Sequence, residues 1–137
     1  MRLLQPAGWP RPKGYANGVE AEGRLVFTAG QIGWNAEERF ESDDLVDQIH
    51  QALTNVRAVI AEAGAEPEHL VRLTWYVTDI EGWRARPREI GEAYRSVMGK
   101  AFPPMACIGV SALVEPRAKV EIEATAVVPF LQEPTVP

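Results

Sequence analysis

The sequence contains one cysteine, no long apolar run and no excess of basic residues, and each of these shortages excludes some classes of protein. Cys107 has no partner for a disulfide within the chain, and one thiol cannot build a cysteine-rich zinc site. No apolar run approaches the roughly 20 residues that span a bilayer. Fourteen basic against nineteen acidic residues give a net charge of −5, so the overall basic footprint of a nucleic-acid-binding protein is missing. We therefore expect neither a membrane nor a nucleic acid as partner.

The chain of 137 residues is long enough for one hydrophobic core and too short for two. Its 46% hydrophobic and 24% charged residues are close to the globular average, which excludes disordered and fibrous classes. Residues 1–9 lack the apolar core of a signal peptide, so the expected location is the cytoplasm. We predict a single domain over residues 1–137, with its core at about 14–129. Composition leaves open an enzyme, a binding module or an assembly subunit.

The first half of the chain predicts a hairpin followed by a long helix. Residues 24–29 are rich in β-forming side chains, and we expect residues 16–22 to pair with them across Gly23. Ser42 and the two aspartates after it suit a helix start, because a capping oxygen and first-turn carboxylates face the positive end of the helix dipole. Gly64 should end this helix. Its apolar stripe at helical spacing consists of Leu45, Val46, Ile49, Leu53, Val56 and Ile60.

The second half predicts a strand, a shorter helix and a hairpin. Apolar and polar side chains alternate over residues 70–78, which is typical of a strand, and residues 87–98 have the apolar spacing of an amphipathic helix. Two β-branched runs, 105–113 and 119–128, flank a turn and predict a final hairpin. The order β-β-α-β-α-β-β indicates an α+β domain with two helices on one face of a sheet.

The last predicted strand has one apolar face and one mixed face. On so small a domain, a mixed face with threonine and small residues favours burial against another subunit over plain solvent exposure. A binding site at that interface would follow.

Two kinds of side chain in the C-terminal strands could take part in chemistry. Glu121 and Glu123 share a strand face, and burial could raise the pKa of one of them for acid–base work; the alternative is that both only keep the strand soluble. Cys107 should point the same way as Met105 and Gly109. Because neither strand holds a histidine to activate it, the plainer interpretation of the thiol is a small buried hydrophobe.

Other motifs indicate structure more than chemistry. His50 and His69 have no spacing that makes a ligand set, so we expect them to be structural or exposed and not to bind a metal. Residues 30–33 (GQIG) lack the lysine and the helix N-terminus of a phosphate loop, and a β-bulge or tight bend is expected. Four tryptophans could line an apolar pocket or fill the core and an interface: Trp9, Trp34, Trp75 and Trp83.

Six segments in order carry a family resemblance: residues 14–15 (GY), 25–33 (LVFTAGQIG), 51–61 (QALTNVRAVIA), 76–79 (YVTD), 102–103 (FP) and 120–126 (VEIEATA). Their order and spacing resemble the Rid (reactive intermediate deaminase) family. The resemblance implies a chorismate-mutase-like α+β fold and a homotrimeric barrel with a ligand cleft between subunits. It also implies hydrolysis of reactive enamines and imines, mainly 2-imino acids, to a keto acid and ammonia without metal or cofactor.

The resemblance assigns roles to individual residues. Glu121 matches a glutamate that positions the attacking water, and Cys107 matches the cysteine of the cleft. The arginine that clamps the substrate carboxylate, two positions before that cysteine, is Met105 here. Methionine has neither charge nor hydrogen-bond donor, so turnover of small 2-imino acids should suffer. Three further positions match residues that line the cleft: Tyr15, Gly30 and Gln31.

Two more side chains bear on the ligand. Arg88 falls where the archetype has a ligand-contacting asparagine; it could reach the cleft and replace the missing cation, or it could be a solvated arginine on the polar side of its helix. Trp34 and Met105 would make the cleft more apolar, favouring a bulkier or carboxylate-free ligand.

Two functions remain open from the sequence. One is a trimeric imine or enamine hydrolase in which Glu121 orients water and the surroundings of Cys107 hold it near the C=N carbon. The other is a non-catalytic trimer that holds a small metabolite in the same cleft. Ribonuclease activity, ascribed to some family members, is disfavoured by the net charge of −5.

Overall fold

The computed structural model describes residues 1–131, in which a mixed sheet is covered on one face by helices. The strands are β1 (Arg2–Leu3), β2 (Val19–Glu20), β3 (Arg24–Phe27), β4 (Gln31–Ile32), β5 (Leu70–Val77), β6 (Met105–Gly109) and β7 (Val120–Val128). Strands β3, β7, β5 and β6 are neighbours in that order, and β4 also pairs with β7. All pairs are antiparallel except β5 and β6. The α+β fold class predicted from the sequence is confirmed.

Three helices accompany the sheet in this part of the chain: α1 (Leu45–Ala61), α2 (Ile80–Ala85) and α3 (Pro87–Met98). The apolar sides of α1 and α3 pack on the core-facing side of β5 and β7, where Ile49, Leu73 and Ile122 are almost fully buried. Removing this apolar surface from water is the main stabilising contribution to such a layered fold. No helix within residues 1–131 is both long and apolar enough to cross a bilayer.

The ends of α1 are set by local chemistry. Asp44 is the N-cap, and its carboxylate accepts from the backbone N–H groups of Val46 and Asp47. Ser42, expected as the cap, instead accepts from Asp44 N–H. Gly64 ends the segment as predicted: its φ of 75° lies in the left-handed region that glycine tolerates best.

The predicted N-terminal hairpin is wrong. Residues 19–20 pair with β1, and β3 pairs with the end of β7. Gly23 explains this course, because it has a φ of 154° and a Cβ there would lie 2.1 Å from Val128 O. The chain therefore turns tightly against β7, and β3 buries Val26 beside Ala126.

The predicted C-terminal hairpin is also wrong. Strand β5 lies between β6 and β7, so these two do not pair with each other. Because β5 and β6 are parallel, the chain needs a crossover between them, which α2 and α3 provide. The sequence predicted only α3 of this pair; α2 is six residues long and carries Gly82 within it, too short a pattern to stand out.

The other face of the sheet carries no helix within the described residues. Side chains alternate along β7 as predicted, with Ile122 towards the helices and Glu121 and Glu123 on the opposite face. Phe27 and Ile108 share this open face, since they pair in register with Thr125 and Tyr76. Phe27 is 68% exposed and Ile108 45% exposed. The open face is thus partly apolar and uncovered in the single chain.

Candidate functional site

A cavity of about 440 Å³ lies between α3, the β5–β6 part of the sheet and the N-terminal segment. Its volume is in the range of small-molecule sites. Met105 and Cys107 line it from β6, and Tyr15 lines it from the N-terminal segment. Three of the residues singled out from the sequence therefore meet in one place.

Backbone contacts of the next residue hold Tyr15 beside the cavity. The N–H of Ala16 donates to Pro103 O at 3.3 Å, and Ala16 forms an isolated parallel bridge with Pro104. Gly14 has a φ of 75°, which permits the turn that precedes Tyr15. The segment therefore lies beside the start of β6, where Met105 begins the strand.

Met105 and Cys107 face the helices. They pair in register with Leu73 and Trp75 of β5, whose side chains lie in the core, so the shared orientation predicted for the two residues is confirmed. Burial raises the pKa of the Cys107 thiol to about 11. The thiol is therefore protonated at neutral pH and can act as a weak donor, but not as a thiolate nucleophile.

Aromatic rings form much of the cavity wall. Tyr94 stacks on Trp75 with ring centroids 6.1 Å apart and on Phe102 at 5.4 Å. The Tyr94 hydroxyl donates to Ala101 O. The indole N–H groups of Trp75 and Trp83 are buried without a hydrogen-bond partner in the described chain. A buried donor without an acceptor lowers the free energy of unfolding by about 1–3 kcal/mol, so each of these two groups reduces the stability of the described chain.

Glu121 lies on the other face of the sheet. It pairs in register with Tyr76, one residue on from Trp75, and alternation along the strand turns it away from the cavity. A Cβ at Gly30 would lie 2.7 Å from Glu121 Cδ, so the glutamate fills the break between β3 and β4. Gln31 follows there, and its side chain donates to Ala29 O at 3.2 Å. Glu121, Gly30 and Gln31 form a second group of predicted site residues.

Glu123, the other carboxylate of the open face, is hydrogen-bonded to a neighbouring side chain. It accepts a hydrogen bond from the Tyr76 hydroxyl at 2.8 Å. The Glu123 carboxylate raises the pKa of Tyr76, because it accepts the phenolic proton and repels a phenolate. Within residues 1–131 the Glu121 carboxyl has no such hydrogen bond, which leaves it as the carboxylate available to a water molecule.

The structure does not bring the two groups together within one chain. Met105, Cys107 and Tyr15 lie on the helix side of the sheet, whereas Glu121 and Gly30 lie at the break on the open side. Within one chain the two groups are therefore separate.

Two predicted binding residues lie outside the cavity. Trp34 packs on Phe40, with ring centroids 5.9 Å apart, and its carbonyl accepts from Asn55. The side chain of Arg88 is 91% exposed and pairs with Glu92 at 3.6 Å. The roles of Trp34 and Arg88 in ligand binding stay predictions.

The sequence did not single out Gly91 and Arg95, which line the cavity from α3, or Lys13, which lines it from the N-terminal segment. A polar residue on an amphipathic helix is ordinarily interpreted as solvated. The available signal was the i, i+4 spacing of a glycine and an arginine, which places both on one side of a helix.

Other features of the described chain offer less chemistry. A larger groove of about 930 Å³ shares Tyr15 with the cavity but contains neither Met105 nor Cys107. His69 accepts from Glu66 N–H at 2.9 Å, a structural contact at the turn before β5. Within residues 1–131 there is no cluster of three or more histidine, cysteine or carboxylate side chains that could hold a metal ion.

Comparisons with known proteins agree on one family. The model of the family described as "Endoribonuclease L-PSP" matches residues 10–128. A "RutC family protein" of Aquifex aeolicus is 35% identical over 93% of this chain and 99% of its own. The "2-iminobutanoate/2-iminopropanoate deaminase" of Escherichia coli is 33% identical over 82% of this chain and 86% of its own.

Solved structures show the same fold. A crystal structure from Yersinia pestis, described as a protein of unknown function of the conserved Rid protein family, has a TM-score of 0.82 and 34% identity, over 93% of this chain and 98% of its own. Escherichia coli TdcF with bound serine has a TM-score of 0.67 and 28% identity, over 93% and 99%. The family model, the sequence identities and the shared fold together establish that this chain belongs to the Rid protein family.

Proposed function

We propose that this protein hydrolyses a reactive imine or enamine to a carbonyl compound and ammonia, in a cleft shared between copies of the chain. The observation that carries the proposal is the division of the site residues: Cys107 and Tyr15 lie on one face of the sheet and Glu121 on the other. A relative that is 33% identical is named for deamination of 2-iminobutanoate and 2-iminopropanoate, which supports this reaction class.

The shared cleft follows from a homotrimer, which we propose from the open face of the sheet. Phe27 and Leu25 are 68% and 65% exposed at the β3 edge of this face, and Ile108 is 45% exposed at its β6 edge. Covering these side chains with another subunit removes apolar surface from water, at roughly 25 cal/mol for each Å². The same packing would bring Glu121 of one copy to the cavity of its neighbour. A cytoplasmic location remains part of this proposal.

The reaction needs a water, a base and a protonated nitrogen. In the proposed cleft, the Glu121 carboxylate accepts a proton from water as the water oxygen attacks the C=N carbon. That proton then passes to the nitrogen of the resulting carbinolamine, and Glu121 takes up the hydroxyl proton as the C–N bond breaks, so that ammonia leaves and the carbonyl forms. The protonated Cys107 thiol serves as a weak donor that helps hold the water. No metal or redox cofactor is required by this balance.

Met105 restricts the range of substrates that the cavity would bind well. The side chain is partly buried against the core and supplies no charge to the cavity. A guanidinium–carboxylate pair is about twice as strong as a neutral hydrogen bond, so small 2-imino acids should be poorer substrates here than for a relative with arginine at this position. We propose a bulkier substrate that contacts Met105 with an apolar part.

Ammonia release from a panel of aliphatic and aromatic imines, generated in solution, tests the function. The purified protein should accelerate release from at least one of them, and Glu121→Gln should reduce that acceleration about a hundredfold. Glu62→Gln, an exposed carboxylate at the end of α1, is the matched control and should behave as the unaltered protein. The proposal fails if no imine is turned over faster than in buffer and Glu121→Gln changes nothing.

A second candidate is a non-catalytic trimer that binds a small metabolite in the same cleft. It is favoured by the neutral Met105 and by the raised pKa of the Cys107 thiol, which leave no reactive anion on the β6 side of the cavity. Saturable binding of a ligand with no turnover of any imine would select this function.

A further inference from the structure

One guanidinium at the cavity has no ion-pair partner among the described residues. Arg95 lies on α3 and lines the cavity, and no carboxylate of residues 1–131 lies within 4.0 Å of its nitrogens. Other arginines of this helical region are paired: Arg86 with Asp44 at 2.7 Å and Arg88 with Glu92 at 3.6 Å. Arg95 is thus the cation of α3 that is available to a ligand.

Gly91 makes room for this guanidinium. A Cβ at position 91 would lie 3.1 Å from a terminal nitrogen of Arg95 and 3.7 Å from its Cζ. The side chain of Arg95 therefore folds back by one turn and lies where a side chain at position 91 would begin. Glycine in the middle of a helix is unfavourable relative to alanine, so Gly91 has a stability cost.

The charges around the cavity are all of one sign. Lys13 and Arg95 are the charged side chains among the described residues that line it, and no carboxylate joins them. Aromatic rings form much of the remaining wall, whereas Lys13 and Arg95 are themselves exposed to solvent. The site therefore favours an anion.

Two indoles of the cavity wall have buried nitrogens. The indole nitrogens of Trp75 and Trp83 lack a partner, both residues line the cavity, and Trp75 is only 3% exposed. Both nitrogens can only donate. Because both nitrogens are buried, the two indoles present apolar ring surface to the cavity, which suits an apolar part of a ligand.

We propose that Arg95 is the anion-binding residue of this cavity and that the ligand is a carboxylate attached to an apolar or aromatic body. Because Arg95 stands on α3 while Cys107 stands on β6, the ligand has to span the cavity between these walls. The inference rests on the proposed function for the identity of the reacting group. It also replaces the expectation of a carboxylate-free ligand, which followed from Met105 alone.

Binding of a matched pair of probes tests this without turnover. The probes are 4-methyl-2-oxopentanoate and its methyl ester, which differ in charge, and binding is measured by isothermal titration calorimetry on the intact protein. We expect the carboxylate to bind about tenfold more tightly than the ester. Arg95→Gln should abolish this preference and leave the affinity for the ester unchanged. Arg84→Gln is the matched control, because Arg84 is exposed on α2 and pairs with Glu81 outside the cavity.

A second variant distinguishes a change in the position of the Arg95 side chain from a failure of the protein to fold. In Gly91→Ala the new methyl group would lie 3.1 Å from a terminal nitrogen of Arg95, so the guanidinium has to shift slightly and affinity for the carboxylate should fall by less than in Arg95→Gln. The same change should leave the melting temperature equal or higher, because alanine is the better helix former. A loss of affinity together with intact or improved stability cannot come from misfolding.

Three outcomes overturn the inference: no saturable binding of the carboxylate at millimolar concentrations, equal binding of both probes, or an unchanged preference in Arg95→Gln. Failure of the proposed function gives a different pattern. In that case the carboxylate binds through Arg95, but no imine is hydrolysed.

Discussion

The Glu121 side chain occupies the space that any side chain at Gly30 would need. A Cβ on Gly30 would lie 2.7 Å from Glu121 Cδ and 2.8 Å from its Cγ. Because β3 ends at Phe27 and β4 begins at Gln31, this carboxyl group sits at a break in the edge of the sheet. The break gives the carboxylate a fixed place on a face that has no helix within the described chain.

Gly30→Ala should therefore displace Glu121 and slow imine hydrolysis by about tenfold to a hundredfold, since a misplacement of about 1 Å at a reacting group has effects of that size. Gly18→Ala is the control, because its Cβ would meet Leu4 at an ordinary 3.4 Å. Ammonia release and thermal melting are measured on both. An unchanged kcat in a folded Gly30→Ala protein would show that the position of Glu121 does not matter to the reaction.

Met105→Arg should raise kcat/KM for 2-iminobutanoate by about tenfold or more, because it adds a charged donor two residues from Cys107. Met105→Leu keeps the volume and adds no charge, so it should leave this value nearly unchanged. Rates of ammonia release from 2-iminobutanoate compare the two. Equal rates for the arginine and leucine variants would mean that the carboxylate clamp is not what limits this substrate.

The thiol of Cys107 should react slowly at neutral pH. Burial raises its pKa to about 11 from an ordinary value of 9.0, so at pH 8 the thiolate fraction is roughly a hundredfold lower. The fold favours the protonated thiol, and this contribution to stability is fully present below pH 9 and is lost as the pH rises through 11. Alkylation by iodoacetamide, followed by mass spectrometry, should accelerate steeply over that range.

The chain has no other cysteine, so the same protein unfolded in guanidinium chloride serves as the reference for this experiment. There the thiol should react at the rate of an ordinary cysteine. Rapid alkylation of the native protein at pH 7 would contradict the assignment of Cys107 as a neutral donor and would favour a nucleophilic role.

Phe27→Glu should dissociate the proposed trimer, because it places a charge in the apolar part of the open face. Light scattering coupled to gel filtration gives the mass of the assembly. The rate of imine hydrolysis should fall when that mass falls. Ala58→Glu adds the same charge to an exposed position of α1 and should leave the assembly intact. A Phe27→Glu protein that keeps the mass of the unaltered one would exclude this face as the interface.

Local elements followed from the sequence because their signals are local. The helix predicted over residues 87–98 is α3 (Pro87–Met98), and the strand predicted over 70–78 is β5 (Leu70–Val77). Periodicity, caps and glycine stops act within a few residues of one another. Pairing was predicted wrongly at both ends, because a short run of β-branched residues does not specify which strand lies beside it. Strand β5 separates β6 from β7 only through contacts between residues far apart in the chain.

Some features of the candidate site could also be predicted from the sequence, and others could not. The common orientation of Met105 and Cys107 follows from strand alternation and was predictable. Arg95 was not, because an arginine on an amphipathic helix has the pattern of a solvated residue until the cavity beside it is known. Nor could alternation alone show that Glu121 and Cys107 face opposite sides, since the two strands are separated by β5.

By itself the sequence determined the family resemblance, the α+β class, the main helices and the methionine at position 105, because backbone periodicity and residue identity are properties of the chain alone. The tertiary structure decided which strands pair, which charged group reaches the cavity and which site residues a single chain keeps apart. Those outcomes depend on burying apolar faces contributed by distant segments, and only the folded chain brings these segments together.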